Sequence, residues 1–418
     1  MENFITMDKS AAVTGLGVAS ALGSSVEEFW QNLLAGKSGF RVVENLNLPK
    51  RGCRIAAQVL TPARNGGINS VNPLPRAVEL ALFAAKQAWA DAAFDEAEID
   101  RERIGVVVGT GIGNQDLADF SVERLNAGER LSPLTAFRSF SHAAACEILR
   151  EFDLQGAVQT VTSGCNSGAD AIGLALDWIR LGRCDAVLVG GTEAEITESF
   201  YGAMIAARAL TTKFNDNPTE ASRPFDAKRD GNAPGEGAGF LILESIEHAE
   251  KRKAKIRAKL LGFANCAAGT RPPYDPFNPI FDTAPMLRTM RTALKDAGIS
   301  ADELSAVSAN GSSSVFYDPL EAKAISELLG GWAEEVPVFS VKGALGQTGA
   351  VTPALQSIAA VLSIENGILP PTANTNEKDV RCPIYLITGE PMEFSAKTIL
   401  CNAIGFGGFY YASTVFGI

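Results

Sequence analysis

The chain has 418 residues, 46% of them hydrophobic and 20% charged, with a formal net charge of −11 at pH 7. These proportions describe a globular protein with a sizeable core, long enough for two or three domains or one double-lobed unit. The acidic balance argues against nucleic acid as the main partner, although a local basic patch can still receive an acidic protein. No apolar stretch approaches the ~18 residues of a membrane span, and the first nine residues lack the basic-then-apolar order of a signal peptide. Seven scattered cysteines with no CxxC pair predict reduced thiols and a cytoplasmic location.

In chain order, residues 11–23 read as a strand, a glycine turn and a polar helix start. Ser24 and Ser25, followed by Glu27 and Glu28, resemble a capping signal for a helix running to about residue 35. Residues 38–61 read as loop and short strand, and 76–93 as an alanine-rich helix with one apolar face. Residues 103–109 read as a short buried strand running into Gly109-Thr110-Gly111-Ile112-Gly113. No acidic residue follows where a dinucleotide site requires one, so these glycines serve a tight turn. Helix is expected over 141–152, buried strand over 157–161, a long helix over 169–181, buried strand over 184–190 and helix over 201–210. A polar loop covers 211–237, a strand 239–243, and a charged helix over 244–259 leads into a strand at 260–263. The second half repeats the alternation. Its helices fall at 283–297, 319–329 and 353–366, its strands at 304–309, 336–341, 384–386, 398–402 and 410–416. Two such halves without a low-complexity linker predict two packed α/β lobes, with the division placed at 9–255 and 256–418.

The chain centres on Val161-Thr162-Ser163-Gly164-Cys165-Asn166-Ser167-Gly168. Cys165 sits between a β-branched strand segment and a helix, at a sharp turn among small residues that let a ligand approach the backbone. Free N–H groups and the positive end of the helix dipole lie beside its sulfur, a position expected to lower the thiol pKa and make it a nucleophile. The alternative is a buried structural cysteine, against which the flanking glycines argue.

This elbow, continued through Gly190-Gly191-Thr192-Glu193, resembles that of the β-ketoacyl-acyl-carrier-protein synthases, the ketosynthase branch of the thiolase fold. Further stretches match in order: Val13-Thr14-Gly15-Leu16-Gly17, Ile104-Gly105 to Gly113, Arg223-Pro224-Phe225-Asp226, Gly235-Glu236-Gly237-Ala238-Gly239 and Gly405-Phe406-Gly407-Gly408. The resemblance spans nearly the whole chain. It implies an α/β thiolase-like fold of two βαβ-type lobes in five layers. It also implies a dimer, homo- or heteromeric, with 157–161 near the two-fold, and an acyl carrier protein as partner. No tightly bound cofactor is implied; the phosphopantetheine arm of the carrier, or coenzyme A, enters as part of the substrate.

In that family the cysteine takes an acyl group from a carrier thioester, and two histidines decarboxylate a malonyl-carrier and stabilise the enolate. Here the first histidine motif reads Ala309-Asn310-Gly311-Ser312-Ser313-Ser314, and five residues after Lys342 stands Gln347. Asn310 and Gln347 therefore replace both imidazoles, and Asp318 and Glu321 occupy the family's acidic positions. An amide can donate to an oxyanion but cannot take a proton from a thiol. Only His142 and His248 exist; they read as an ordinary helix or interface residue and a solvated helix face. The backbone N–H groups of Cys165 and Phe406 resemble the family's oxyanion hole. Ser312 and Ser314 stand for two threonines that touch pantetheine, and Ile404, before Gly405, stands for an aromatic gate. Core filling for Ile404 and a buried ion network for Lys342, Asp318 and Glu321 remain as bland alternatives. The run Lys251-Arg252-Lys253-Ala254-Lys255-Ile256-Arg257, or Lys50 with Arg51 and Arg54, is a candidate carrier dock, against a plain solvated helix face.

The resemblance and the missing histidines together lead to an acyltransferase that loads Cys165 while decarboxylative condensation is weak or absent. Two alternatives stand beside it: a chain-length-factor-like partner of a complete ketosynthase, and a true β-ketoacyl synthase using Asn310 and Gln347 as oxyanion donors.

Overall fold

The computed structural model describes residues 9–44, 46–48, 52–62, 74–269, 282–395, 397–406 and 410–418. Lys50, Arg51, Gly407 and Gly408 lie outside the described residues.

Among the described residues, eleven strands join in one large sheet system. They are β1 (Ala11–Ala19), β2 (Ile104–Gly109), β3 (Val158–Val161), β4 (Ala186–Ala194), β5 (Glu236–Ser245), β6 (Ala258–Ala267), β7 (Ala306–Ser308), β8 (Pro337–Phe339), β9 (Tyr385–Leu386), β10 (Thr398–Ile404) and β11 (Tyr410–Gly417). Their spatial order is β9-β8-β7-β10-β11-β6-β1-β5-β4-β2-β3. Among the described residues the two halves of the sheet join where Ala11–Val13 pair with residues 258–260, a three-residue contact between β1 and β6. On either side lies a mixed sheet. β2 runs parallel to β3 and β4, and β7 runs parallel to β8 and β10, while β1–β5, β4–β5, β6–β11 and β10–β11 are antiparallel.

Strand alternation explains the layering. Leu241 and Leu243 of β5 point to one core while Ala238, Phe240 and Ile242 point to another; Val187 and Val189 of β4 oppose Ala186 and Leu188 in the same way. In the second half Ile399 and Cys401 of β10 join the first core, whereas Leu400 and Ile404 enter a third. Each sheet therefore has two apolar faces and needs helices on both. Helices α1 (Arg76–Asp91) and α2 (Ala143–Phe152) cover the outer face of the first sheet. Helices α3 (Ser167–Arg180) and α6 (Thr352–Asn366) fill the space between the sheets, and α4 (Ala284–Ala297) and α5 (Tyr317–Leu329) cover the second. This is the five-layered thiolase-like arrangement. Residues 352–363 of α6 are buried without a break, as a helix in a central layer must be. Close approach there needs small residues: a Cβ on Gly168 of α3 would stand 2.3 Å from the Ala350 carbonyl just before α6.

Most expected elements form within two or three residues of their expected ends. Ser25 caps the helix Val26–Leu34 by accepting from the Glu28 N–H. Two expectations need correction. The charged helix expected over 244–259 stops at Lys251, and Arg252, Lys255 and Arg257 beyond it pair with carboxylates on other elements. Arg252 pairs with buried Glu244 (2.5 Å), Lys255 with Glu365 (2.5 Å), and Arg257 with Asp91 (2.6 Å) and Glu365 (2.5 Å). Arg252 and Arg257 are half-buried in this ion network, while Lys251, Lys253 and Lys255 stay exposed. His248 is half-buried and not a freely solvated face residue: its Nδ1 lies 2.5 Å from Glu244 Oε2. The second correction concerns β3, expected to be buried. It is an edge strand of the sheet, with Val158 44% exposed. Helices at Gln115–Asn126 and Leu134–Arg138 had no counterpart in the sequence reading.

Candidate active site

Strand β3 ends at Val161 and α3 begins at Ser167, and the turn between them carries Cys165. Its shape is fixed by short bonds: the Ser163 N–H donates to Ser167 Oγ (2.9 Å), and the Ser167 hydroxyl and N–H both donate to the Gly164 carbonyl (2.6 and 3.1 Å). The Ser163 hydroxyl bonds Asp170, which Asn265 also serves at 2.9 Å. Cys165 is half-buried. The Phe406 N–H and the Gln347 amide are directed at its sulfur.

The loop after β7 carries Asn310, 4% exposed. Its Oδ1 accepts from Lys342 Nζ (2.8 Å) and from the Ile404 N–H (3.1 Å). Two donors converge on that atom, so it is the carbonyl oxygen, and Nδ2 is the end left to donate to a ligand. The Glu321 carboxyl holds the loop by accepting from the N–H groups of Asn310 (2.7 Å) and Gly311 (2.8 Å). Asp318 does the same for Ser312 (3.0 Å), Ser314 (3.1 Å) and Phe225 (2.8 Å). Gln347 sits on the strap after the helical turn Lys342–Leu345; its backbone N–H donates to Ala233 and its carbonyl accepts from Gly235. Ser314 Oγ accepts the N–H groups of Phe316 and Tyr317 at the start of α5, and the Ser312 hydroxyl donates to Asp318 at 3.4 Å. Both serines are half-buried and belong to the same loop as Asn310.

Electrostatics at the sulfur differ from the expectation of a lowered thiol pKa. Burial pushes the Cys165 thiol up, the charge of Glu195 adds to the rise, and Lys342, the Phe406 N–H and Gln347 pull it back only in part. Lys342, 2% exposed, is pushed down to about 8 by burial, against the pull of Cys165, Glu321, Asp318 and Glu195. Burial raises Glu321 to about 7 despite its two backbone donors.

Cys165, Asn310, Gln347, Lys342 and Phe406 thus converge, with Gly405 beside them: a Cβ there would lie 3.9 Å from Asn166 Nδ2. Ile404 joins through its N–H, but its side chain, 7% exposed, lies in the third core and lines a small cavity with Met286, Met290 and Tyr411. His142 is exposed and stacks on Phe140. The sequence reading missed two groups, Asn166 and Glu195. Glu195 stands two residues beyond Glu193, just after a strand of uniformly buried residues, and that spacing was the available signal. Among the described residues no cluster of three or more His, Cys, Asp or Glu is arranged to hold a metal, and no helix is long and apolar enough to cross a membrane.

Residues 8–249 match the model of the β-ketoacyl synthase N-terminal domain and residues 275–376 that of the C-terminal domain. The chain is 34% identical over 407 residues to the 3-oxoacyl-[acyl-carrier-protein] synthase 2 of Coxiella burnetii, covering 96% of each chain. Among solved structures it resembles a type II polyketide ketosynthase in complex with its acyl-carrier protein, bound to the hexaketide (TM-score 0.88, 31% identity, 98% of each chain). It also resembles the ishigamide ketosynthase/chain length factor (TM-score 0.87, 31% identity, 98% of each chain).

Proposed function

Because the chain belongs to the β-ketoacyl synthase family, we propose that it is a ketosynthase-like acyltransferase in which Cys165 takes an acyl group from a carrier-protein or coenzyme A thioester, with decarboxylative condensation weak or absent. The observation that carries this reading is an intact nucleophile elbow facing amides at both 310 and 347. Cys165 Sγ attacks the thioester carbonyl, and the forming oxyanion lies between the N–H groups of Cys165 and Phe406. The bond to the pantetheine sulfur breaks, and the departing thiolate receives the proton that the cysteine gives up. Lys342 favours the thiolate electrostatically. Asn310 Nδ2 can hold a carbonyl or enolate oxygen, yet neither amide exchanges a proton near neutral pH, which decarboxylative chemistry uses.

Ser312, Ser314 and Gly405 line the approach of the pantetheine arm, the Ile404 N–H fixes the Asn310 amide, and Asp318 and Glu321 hold the loop. Residues 9–255 form the lobe with the nucleophile and 256–418 the lobe with the amides, a division supported by the narrow strand contact at Ala11–Val13. The partners are an acyl carrier protein and a second ketosynthase-type subunit across the exposed edge of β3, in the cytoplasm. A chain-length-factor-like role has one observation of its own: burial and Glu195 push the thiol toward its protonated, unreactive form.

The test is carbon dioxide release from a malonyl thioester, measured beside acyl transfer to Cys165. Transfer without release, or with release slower by on the order of 10²-fold or more, is expected. Release as fast as transfer would sink the weak-condensation claim and assign the condensing step to the amides.

A further inference from the structure

Two buried carboxyls stand two residues apart at the end of β4, and they are treated differently. Glu193 is fully served. It accepts from the N–H groups of Gly111 (2.6 Å), Ile112 (3.2 Å) and Ala350 (3.4 Å) and from the Thr110 hydroxyl (3.1 Å). Glu195 is 5% exposed, and its Oε2 has no partner. Extended geometry puts both on one face. Glu195 lies against the strap that carries Gln347: a Cβ at Gly349 would stand 2.4 Å from Glu195 Oε1. Gly349 has φ +52°, so both backbone and space require glycine there, and the carboxyl occupies the room a side chain would take. When ionised it acts on Cys165, Lys342 and Tyr201. Gln347 Oε1 and both amide atoms of Asn166 are likewise buried without partners. Fully paired buried polar groups are the rule in folded proteins, and each exception costs stability. Four such atoms stand on the residue after the nucleophile, on the amide that touches its sulfur and on the carboxyl against the strap that carries that amide, and a polar ligand would give them partners.

We infer that the acyl group taken up by Cys165 carries a hydroxyl within a few bonds of its thioester, held by Glu195 and Gln347, and that saturated acyl groups are discriminated against. The inference rests on the acyl-transfer reading above. A hydroxyl suits the site chemically. Its proton goes to Gln347 Oε1 or Glu195 Oε2, and its oxygen accepts from the Glu195 carboxyl in the protonated form that burial and Glu193 favour. An alkyl group would leave these atoms orphaned. A site built to hydrogen-bond a substrate hydroxyl rejects the analogue without it far more strongly than an apolar pocket rejects one methylene.

The experiment follows acylation of Cys165 by intact mass, with 3-hydroxybutyryl-coenzyme A and butyryl-coenzyme A as matched donors, in the full-length protein and in its Glu195→Leu and Glu195→Gln variants. The unmodified protein should prefer the hydroxylated donor by on the order of 10²-fold. Glu195→Leu should reduce the preference to about threefold or less, and the nearly isosteric Glu195→Gln, which keeps a hydrogen-bonding head, should retain about tenfold. Melting curves confirm that each variant is folded, and Glu195→Gln keeps the test decisive if Glu195→Leu is not. Butyryl loading as fast as hydroxybutyryl loading in the unmodified protein overturns the inference, as does an undiminished preference in folded Glu195→Leu. Loading by neither group, from coenzyme A or from an acyl carrier protein bearing it, overturns the acyl-transfer reading, and the inference with it, and is told apart by the absence of any adduct.

Discussion

Replacing Lys342 with methionine separates a working site from a buried ion network. The ammonium is 2% exposed, and its pKa falls from 10.5 to about 8. At about 1.4 kcal/mol per unit, the fold carries about 3 kcal/mol of cost for keeping it charged at neutral pH. Methionine removes that cost. It also removes the 2.8 Å bond to Asn310 Oδ1, a charge-assisted bond worth about 1.5–3 kcal/mol, along with the cation nearest Glu321. The two effects largely cancel, so Lys342→Met should change stability at pH 7 by no more than about 2 kcal/mol. The pH dependence is sharper. Between pH 8 and 10.5 the unfolded chain holds the Lys342 proton more tightly than the folded one, so the unmodified protein gains stability as pH rises through that window. The variant loses this gain. Cys165, deprived of the cation that lowers its pKa, should load acyl groups more slowly, with its pH profile moved to higher pH. Urea melts at pH 7 and 9.5 and loading rates across pH measure all three. An unchanged loading profile together with a stability loss above about 4 kcal/mol would show Lys342 to be structural only.

Glu321, raised from 4.5 to about 7, favours its neutral form in the fold, so its contribution is full below pH 4.5 and lost as pH rises to 7. Urea melts of Glu321→Gln should therefore show a flatter stability curve between pH 4.5 and 7, by about 3 kcal/mol. A Val158→Lys/Thr160→Lys variant places charges on the exposed β3 edge and should move the protein from dimer to monomer in sedimentation velocity; an unchanged dimer would place the interface elsewhere. Ile404→Ala should cost about 2–4 kcal/mol in urea melts by enlarging the cavity beside Met286 and Tyr411, while leaving the acyl-chain preference of Cys165 unchanged. A changed preference would make Ile404 a gate after all.

Local signals in the sequence anticipated the fold where they agreed with the tertiary structure. The Ser25 cap, the apolar runs of β2 and β4, and the strand–turn–helix at Cys165 were all legible because propensity and packing point the same way there. They failed where long-range pairing decides. Arg252, Lys255 and Arg257 look like a helical face in sequence, but their carboxylate partners Glu244, Glu365 and Asp91 lie on other elements, and the chain leaves the helix at Lys251, with Lys253 at φ +57°. The residues 157–161 have the composition of a buried strand, yet nothing local says that their second edge stays open. In the site, Asn310, Lys342 and Gln347 were found by motif spacing, but the convergence of Lys342 and the Ile404 N–H on a single amide oxygen was not. Nor was the net direction of the Cys165 pKa. The helix terminus is a sequence-level feature, whereas Glu195 and the depth of burial are properties of the assembled layers.

The most direct measurement is the intact mass of the purified protein after incubation with a panel of acyl-carrier and acyl-coenzyme A thioesters, with Cys165→Ala as control. A mass gain equal to one acyl group, absent in Cys165→Ala, is the predicted result and makes the cysteine a working nucleophile without imidazole. No gain from any donor by the folded protein would contradict the account and leave a ketosynthase-shaped partner subunit in its place.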